Sequence, residues 1–280
     1  MSLRHSWSPR TSRLVLFILL FLLAVTTLYP ILFVGLTTFK ANGEYIQNMF
    51  GLPRTLYLAN FAVLLDRFNV FRMMLNSFII TGSTIALSLL VSTMAAFSFS
   101  KLPFRGSRHI FTVVIASMMI PGQVLMIPVY LMMSRLGLVN THLSVILFYT
   151  TTGIPFAVYF LTANMRSIPD ELVESARMDG ASPPRIYAGL MIPLALPTIM
   201  TLTILTFLSC WNELLYAMLF LQKESVKTLT LATATLVGRY TTNIPLMMTG
   251  LFINCLPVIA VFVFFQKYIV KGVTMGAVKG

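Results

Sequence analysis

Between Arg13 and Lys40 the chain reads LVLFILLFLLAVTTLYPILFVGLTTF, 26 residues without one charged side chain. A helix needs about 20 apolar residues to cross about 30 Å of hydrocarbon, so this stretch predicts a membrane span. Outward from it lie five further charge-free windows of similar length, at 73–100, 109–134, 136–165, 186–212 and 240–266. Together they predict helices near 14–37, 75–99, 110–133, 142–163, 198–221 and 245–267. The fold class is therefore an all-α membrane protein with six transmembrane helices. A membrane β-barrel would need short strands of alternating polarity, and Leu14–Leu23 shows no alternation.

Composition agrees. Of 280 residues only 10% are charged and 57% are hydrophobic, whereas a soluble domain carries about 25% charge. The net charge of +12 is spread thinly between apolar runs, unlike the clustered face of a nucleic-acid binder, so no nucleic-acid partner is expected. Arg4, Arg10 and Arg13 precede the first window as they would a secretory signal. Its apolar run is too long and lacks a small-residue cleavage site, which predicts a retained first helix.

Lys and Arg near the helix ends set orientation. The N-terminus, the second and fourth loops and the tail hold 12 of the 20 positive residues. The loop around Lys101, Arg105 and Arg108 outweighs the single Arg135 on the other side. The expected organisation is a cytoplasmic N-terminus over 1–13, a multi-pass membrane domain over 14–267, and a cytoplasmic tail over 268–280. The 164–197 loop is also expected inside the cell.

Two absences bear on function. No G-x-x-x-x-G-K-[ST] occurs, so the chain carries no P-loop and no ATP site of that kind. Nor does any window hold an ionisable side chain at its centre, where ion-coupled carriers place functional charges. No catalytic residue and no metal-ligand spacing is evident, and Cys210 and Cys255 read as small fillers inside helices. Glu213 comes nearest to an intramembrane charge. Fifteen residues on from Thr198, it sits about 22 Å across at 1.5 Å per residue. It is either a carboxylate reaching interfacial water beside Trp211 and Tyr216, or part of a solute path with Trp211 and Asn212. Asn76, Asn164 and Asn254 are the other amides at helical positions. Asn254, near mid-depth, either lines that path or bonds a neighbouring helix.

The 164–197 segment is unlike a connector. It holds four of the eight acidic residues (Asp170, Glu171, Glu174, Asp179) and five of the 14 prolines. Ser167-Ile168-Pro169-Asp170 supplies a capping hydroxyl, a first-turn proline and acids that suit a helix start. Gly180 can take a left-handed stop, and Ser182-Pro183-Pro184 opens a second helix. Pro193 and Pro197 are expected to punctuate the start of the fifth membrane helix. Four acids against Arg166, Arg177 and Arg185 favour docking onto a cytosolic protein over resting on lipid headgroups.

These residues resemble a known family. Glu174-Ser175-Ala176-Arg177-Met178-Asp179-Gly180-Ala181, followed by Leu190-Met191-Ile192-Pro193, is similar to the EAA loop of ABC-importer permeases, which reads E-A-A, three residues, G, nine residues, I-x-L-P. Ser175 replaces the central alanine, and Leu190 and Ile192 exchange the expected aliphatic residues. Pro169-Asp170-Glu171-Leu172, Trp211-Asn212-Glu213 and the Lys271-Gly272 tail look most like the carbohydrate-uptake branch, in particular its smaller maltose-type permease.

The resemblance implies a type I ABC importer (MetI-like) permease fold in the bacterial inner membrane. It implies ATPase-coupling roles for Glu174, Ser175, Ala176, Asp179, Gly180, Ala181, Ser182, Pro183, Arg185 and Pro193, with Gly180–Ile186 seated on an ATPase. It implies four kinds of partner: a second homologous permease, two ATPase subunits, an extracytoplasmic solute-binding protein and the lipid bilayer. No cofactor is expected on this chain, with ATP and magnesium on the ATPase. The solute class, from monosaccharide to polyol or glycerol phosphate, stays open. An ion-coupled carrier and a non-transporting scaffold remain as rivals.

Overall fold

The computed structural model describes residues 9–102, 104–239 and 243–277, and every regular element among them is helical. Residues 1–8 of the expected cytoplasmic N-terminus and 278–280 of the expected tail lie outside the described residues. The chain divides into two compact units, Met1–Asn69 with Thr235–Cys255, and Val70–Ala234 with Leu256–Gly280.

In the first unit α1 (Pro9–Thr38) contains all but the last residue of the first window. The segment after it is ordered by backbone accounting. Lys40, fully buried, donates through Nζ to the carbonyls of Asn48 at 2.8 Å and Met49 at 3.0 Å. The Asn60 amide donates to the carbonyls of Thr38 and Lys40, at 3.0 and 2.9 Å. These bonds pin α2 (Asn42–Gln47) and α3 (Ala59–Arg67) to the end of α1. Each satisfies a backbone group that would be costly to bury unpaired.

The second unit is built on α4 (Val70–Lys101), α7 (His142–Arg166) and α10 (Ile192–Asn212). Along α4 the buried side chains Ser77, Thr81, Thr84, Ser88 and Ser92 recur every three or four residues. Small residues let two membrane helices approach closely, and Ser88 meets Gly153 of α7 there. One end of the unit packs Ala96, Phe97, Leu161, Met165, Val173, Ile186 and Met191 into a core. The other end packs Ile80, Val145, Phe148, Tyr149, Tyr216 and Phe220 into a second.

Two expected helices need correction. The third window does not form one helix near 110–133. It breaks into Ser107–Met119, which includes α5 (Ser107–Ala116), and Gly122–Arg135, which includes α6 (Met126–Arg135), bent by 88° to each other. Pro121 removes a donor and drives Ile120 into extended backbone (ψ 113°), as the residue before a proline requires. The fifth membrane helix is not 198–221 but runs from Pro183 to Asn212. Pro193 and Pro197 therefore lie inside it instead of marking its start. The helix tolerates Pro193 because Tyr187–Met191 widens to a π-turn, which carries the carbonyl of Gly189 clear of the proline ring. Past Asn212 the chain restarts as α11 (Leu215–Phe220), followed by α12 (Leu229–Arg239) and α13 (Ile244–Ala277).

Candidate functional site

The second unit carries a candidate site at each end. At the Lys101 end, α8 (Asp170–Met178) and α9 (Pro183–Ile186) meet at Gly180. Gly180 takes φ +78°. Its N–H bonds the carbonyl of Arg177 at 2.9 Å, and the N–H of Ala181 bonds that of Ala176 at 3.0 Å. This is a Schellman stop, with the left-handed position filled by the residue that adopts it without strain. The start of α8 differs from expectation. Pro169 is the cap residue without a side-chain bond, and the Ser167 hydroxyl turns back to the carbonyl of Asn164 at 2.7 Å. Ser182 likewise caps α9 by backbone conformation alone, with Pro183 in its first turn.

This elbow has a fixed underside. The Lys101 side chain, 2% exposed, donates to the carbonyl of Ile168 at 2.6 Å and to Asp170 Oδ1 at 2.5 Å. Arg177 donates to the carbonyl of Lys101 at 3.2 Å. Val173, Ile186 and Met191 are buried in the core, and Tyr187 bonds Thr93 at 2.8 Å while packing on Phe97. The upper face is open. Glu174, Ser175, Asp179, Gly180, Ser182, Pro183, Arg185 and Pro193 are exposed, and Ala176 and Ala181 are half-buried. Met178 stands at the tip 88% exposed.

At the opposite end, a cleft of about 380 Å³ lies between α7, α10, α11 and the bend at Gly122. Glu213 follows the last turn of α10, and its carboxylate turns inward. It accepts the Tyr149 hydroxyl at 2.6 Å and the N–H groups of Tyr216 and Ala217 at 3.1 Å each. Those amides belong to the first turn of α11 and have no carbonyl of their own. The Tyr216 hydroxyl donates to the carbonyl of Gly122, and its ring lies 3.9 Å from that of Phe148. The lining includes one carboxylate, two phenols, the hydroxyls of Thr152, Thr206 and Ser209, and aromatic faces, with no Lys, Arg or His among the described residues.

Of the four residues expected on a solute path, the cleft includes Glu213 alone. Trp211 is 2% exposed, packed between Phe78 and Phe207, and neither it nor the buried Tyr216 forms a lipid-facing belt. Asn212 is exposed and bonds the carbonyl of Leu208 within its own helix at 2.9 Å. Asn254 is buried within the first unit. Asn76 donates to the carbonyls of Ser225 and Lys227, at 3.1 and 3.0 Å, which makes it a structural brace. Tyr149 carries no charge to single it out in the sequence, and Tyr216 reads there only as an interfacial residue. A signal for the lining was nonetheless present: Tyr149, Thr152, Gly153 and Phe156 on one helix, and Thr206, Ser209 and Cys210 on another with Glu213 at its C-cap, all line the cleft. Both sets follow i, i+3, i+4, i+7, one face of a helix.

Comparison with known proteins bears on the chain as a whole. The family model described as binding-protein-dependent transport system inner membrane component matches residues 79–275. The arabinooligosaccharides transport system permease protein AraQ of Halalkalibacterium halodurans is 32% identical over 262 residues, covering 92% of this chain and 93% of that protein. The melibiose/raffinose/stachyose import permease protein MelC of Bacillus subtilis is 33% identical over 245 residues, covering 87% and 88%. Among solved structures, a chain of a bacterial ABC transporter involved in the import of the acidic polysaccharide alginate superposes with a TM-score of 0.81. It is 26% identical, and the match covers 95% of this chain and 99% of that one.

Proposed function

The chain belongs to the family of inner-membrane components of binding-protein-dependent transport systems, and from that premise we propose that it is one of two permease subunits of an ATP-driven importer of neutral oligosaccharides or related polyols. Solute arrives on an extracytoplasmic binding protein. A second, homologous permease completes the path, and two ATPase subunits hold ATP and magnesium. Both termini and the elbow face the cytoplasm.

The observation that carries this reading is the elbow. Its exposed face, centred on Gly180 and Met178, stands over a base fixed by Lys101 and by the Val173–Ile186 core. Because α9 continues through Tyr187–Met191 into α10, a push on Ser182–Arg185 acts directly on a helix 30 residues long, Pro183–Asn212. Closure of the ATPase pair tilts that lever, and the Glu213 end moves with it.

The solute class follows from the chemistry of the cleft together with the relatives' names. Sugar hydroxyls donate to a carboxylate and to phenol oxygens, and the C–H faces of a sugar ring stack on aromatic rings. An anionic polysaccharide would face Glu213 with no cation in the lining to offset it, which favours neutral carbohydrate. The rival carrier and scaffold readings predict different behaviour. A tagged chain should bring an ATPase and a second permease through purification. Reconstituted with the binding protein, that assembly should take up a neutral oligosaccharide only when ATP is present. Uptake that survives ATP depletion under a proton gradient would establish a secondary carrier, and purification of the chain alone would establish a scaffold.

A further inference from the structure

Beside the elbow lies a second feature. The last turn of α7 and the first turn of α5 flank an open cleft of about 690 Å³ whose lining includes Arg108, His109, Arg166, Phe104 and Phe111. Gly106, at φ +82°, turns the chain into α5, so Arg108 and His109 face this space from its first turn. The Arg166 guanidinium lies 5.3 Å from the centre of the Phe111 ring, which holds a cation over an aromatic face.

Among the described residues neither Arg108 nor Arg166 meets a carboxylate, whereas Lys101 and Lys227 each have one. No acid among the described residues lines the cleft. Asp170 and Glu174 line an adjoining one together with Lys101 and Arg177. Two exposed guanidiniums lining one cleft without a counter-charge favour an anion in it.

Position limits what the anion can be. Arg166 is the last residue of the span His142–Arg166, and Ser107 is the first of the half-span Ser107–Met119. Both therefore stand where hydrocarbon gives way to water, at the depth of lipid phosphates. Phe104 and Phe111 add an apolar wall suited to the glycerol and upper acyl carbons of a lipid, which a free phosphate ion would leave unused. We propose that this cleft holds the phosphodiester headgroup of an anionic phospholipid, with Arg108 and Arg166 on the phosphate oxygens.

The test uses the purified transporter that contains this chain, titrated in detergent with phosphatidylglycerol and read by native mass spectrometry. The unaltered protein should retain one tightly held phosphatidylglycerol that the double variant Arg108→Gln/Arg166→Gln binds about tenfold more weakly or loses. The charge-preserving Arg108→Lys/Arg166→Lys variant should keep most of that affinity. Zwitterionic phosphatidylcholine should not replace the bound lipid, and neither should millimolar inorganic phosphate. Equal phosphatidylglycerol affinity in the unaltered protein and the double-Gln variant would overturn the proposal, as would tight phosphatidylcholine binding. Displacement by inorganic phosphate would overturn it too, by assigning the site to a free anion. If the double-Gln variant fails to reach the membrane, salt decides: retention unchanged between about 50 mM and about 500 mM NaCl rules out a charge-held headgroup.

Discussion

The two ends of the second unit use polar groups in opposite ways. At the Lys101 end the buried cation is tied to a backbone carbonyl and to an exposed carboxylate, and its partners lie on the underside of a surface left bare. At the Glu213 end the carboxylate is held by a phenol and two amides beside a cavity. The first arrangement braces a turn from beneath and leaves its outer face bare. The second makes a concave wall whose polar groups keep fixed positions while leaving room for a molecule. One continuous helix, Pro183–Asn212, joins them, and the proposed coupling rests on that continuity.

That contrast can be broken from either side. The largest effect is expected from Gly180→Val. A Cβ at Gly180 meets nothing within 4 Å, so the substitution does not clash. It imposes instead the cost of a left-handed β-branched residue, about 1–2 kcal/mol, and the Schellman turn opens. Membrane abundance by immunoblot should be unchanged while uptake falls about a hundredfold; normal uptake by a well-expressed variant removes the coupling role.

Glu213→Gln tests the far end. The new amide cannot accept all three hydrogen bonds of the carboxylate, and losing or weakening them costs about 1–3 kcal/mol. Uptake should drop about tenfold, with the basal ATPase rate of the assembled complex unaltered. A matching fall in ATPase would show that the Glu213 end belongs to the lever and not to the solute wall.

Lys101→Met is expected to act more mildly. Asp170 is 76% exposed and regains water, so the ion pair itself contributes little. The bond to the Ile168 carbonyl is the larger loss, about 1 kcal/mol. Protease cleavage within 169–182 should quicken about fivefold, with solute affinity unchanged. Equal cleavage rates would show that the Val173–Ile186 core alone holds the elbow. Asn212→Ala should be smallest, under about twofold on uptake, since its amide serves only its own helix. A larger effect would return Asn212 to the solute path.

Much of the elbow was legible because it is built from near neighbours. Gly180 states its role through bonds spanning three to five residues, the first-turn acids of α8 and Pro183 do so through their places at helix starts, and such spacing is visible in a sequence. Even so, the expected Ser167 cap was wrong, because the hydroxyl had a competing carbonyl one turn back at Asn164. The cleft was barely legible. Tyr149 and Glu213 stand 64 positions apart, and Tyr216 and Gly122 stand 94 apart. No periodicity pairs them. Trp211 shows the converse error: beside an acid at a helix end it suggested a path or an interfacial belt, yet packing against Phe78 and Phe207 claimed it.

Sequence alone settled that this is a helical membrane protein with six apolar segments and one stiffened turn. Hydrocarbon admits few backbone solutions, and turn chemistry is local. Only the tertiary structure decided that the third segment folds back by 88° at Pro121, that the fifth helix begins at Pro183, and that Glu213 faces a cavity. Which way a bend or a side chain turns is set by groups brought together from far along the chain, each satisfying a polar atom that lipid cannot.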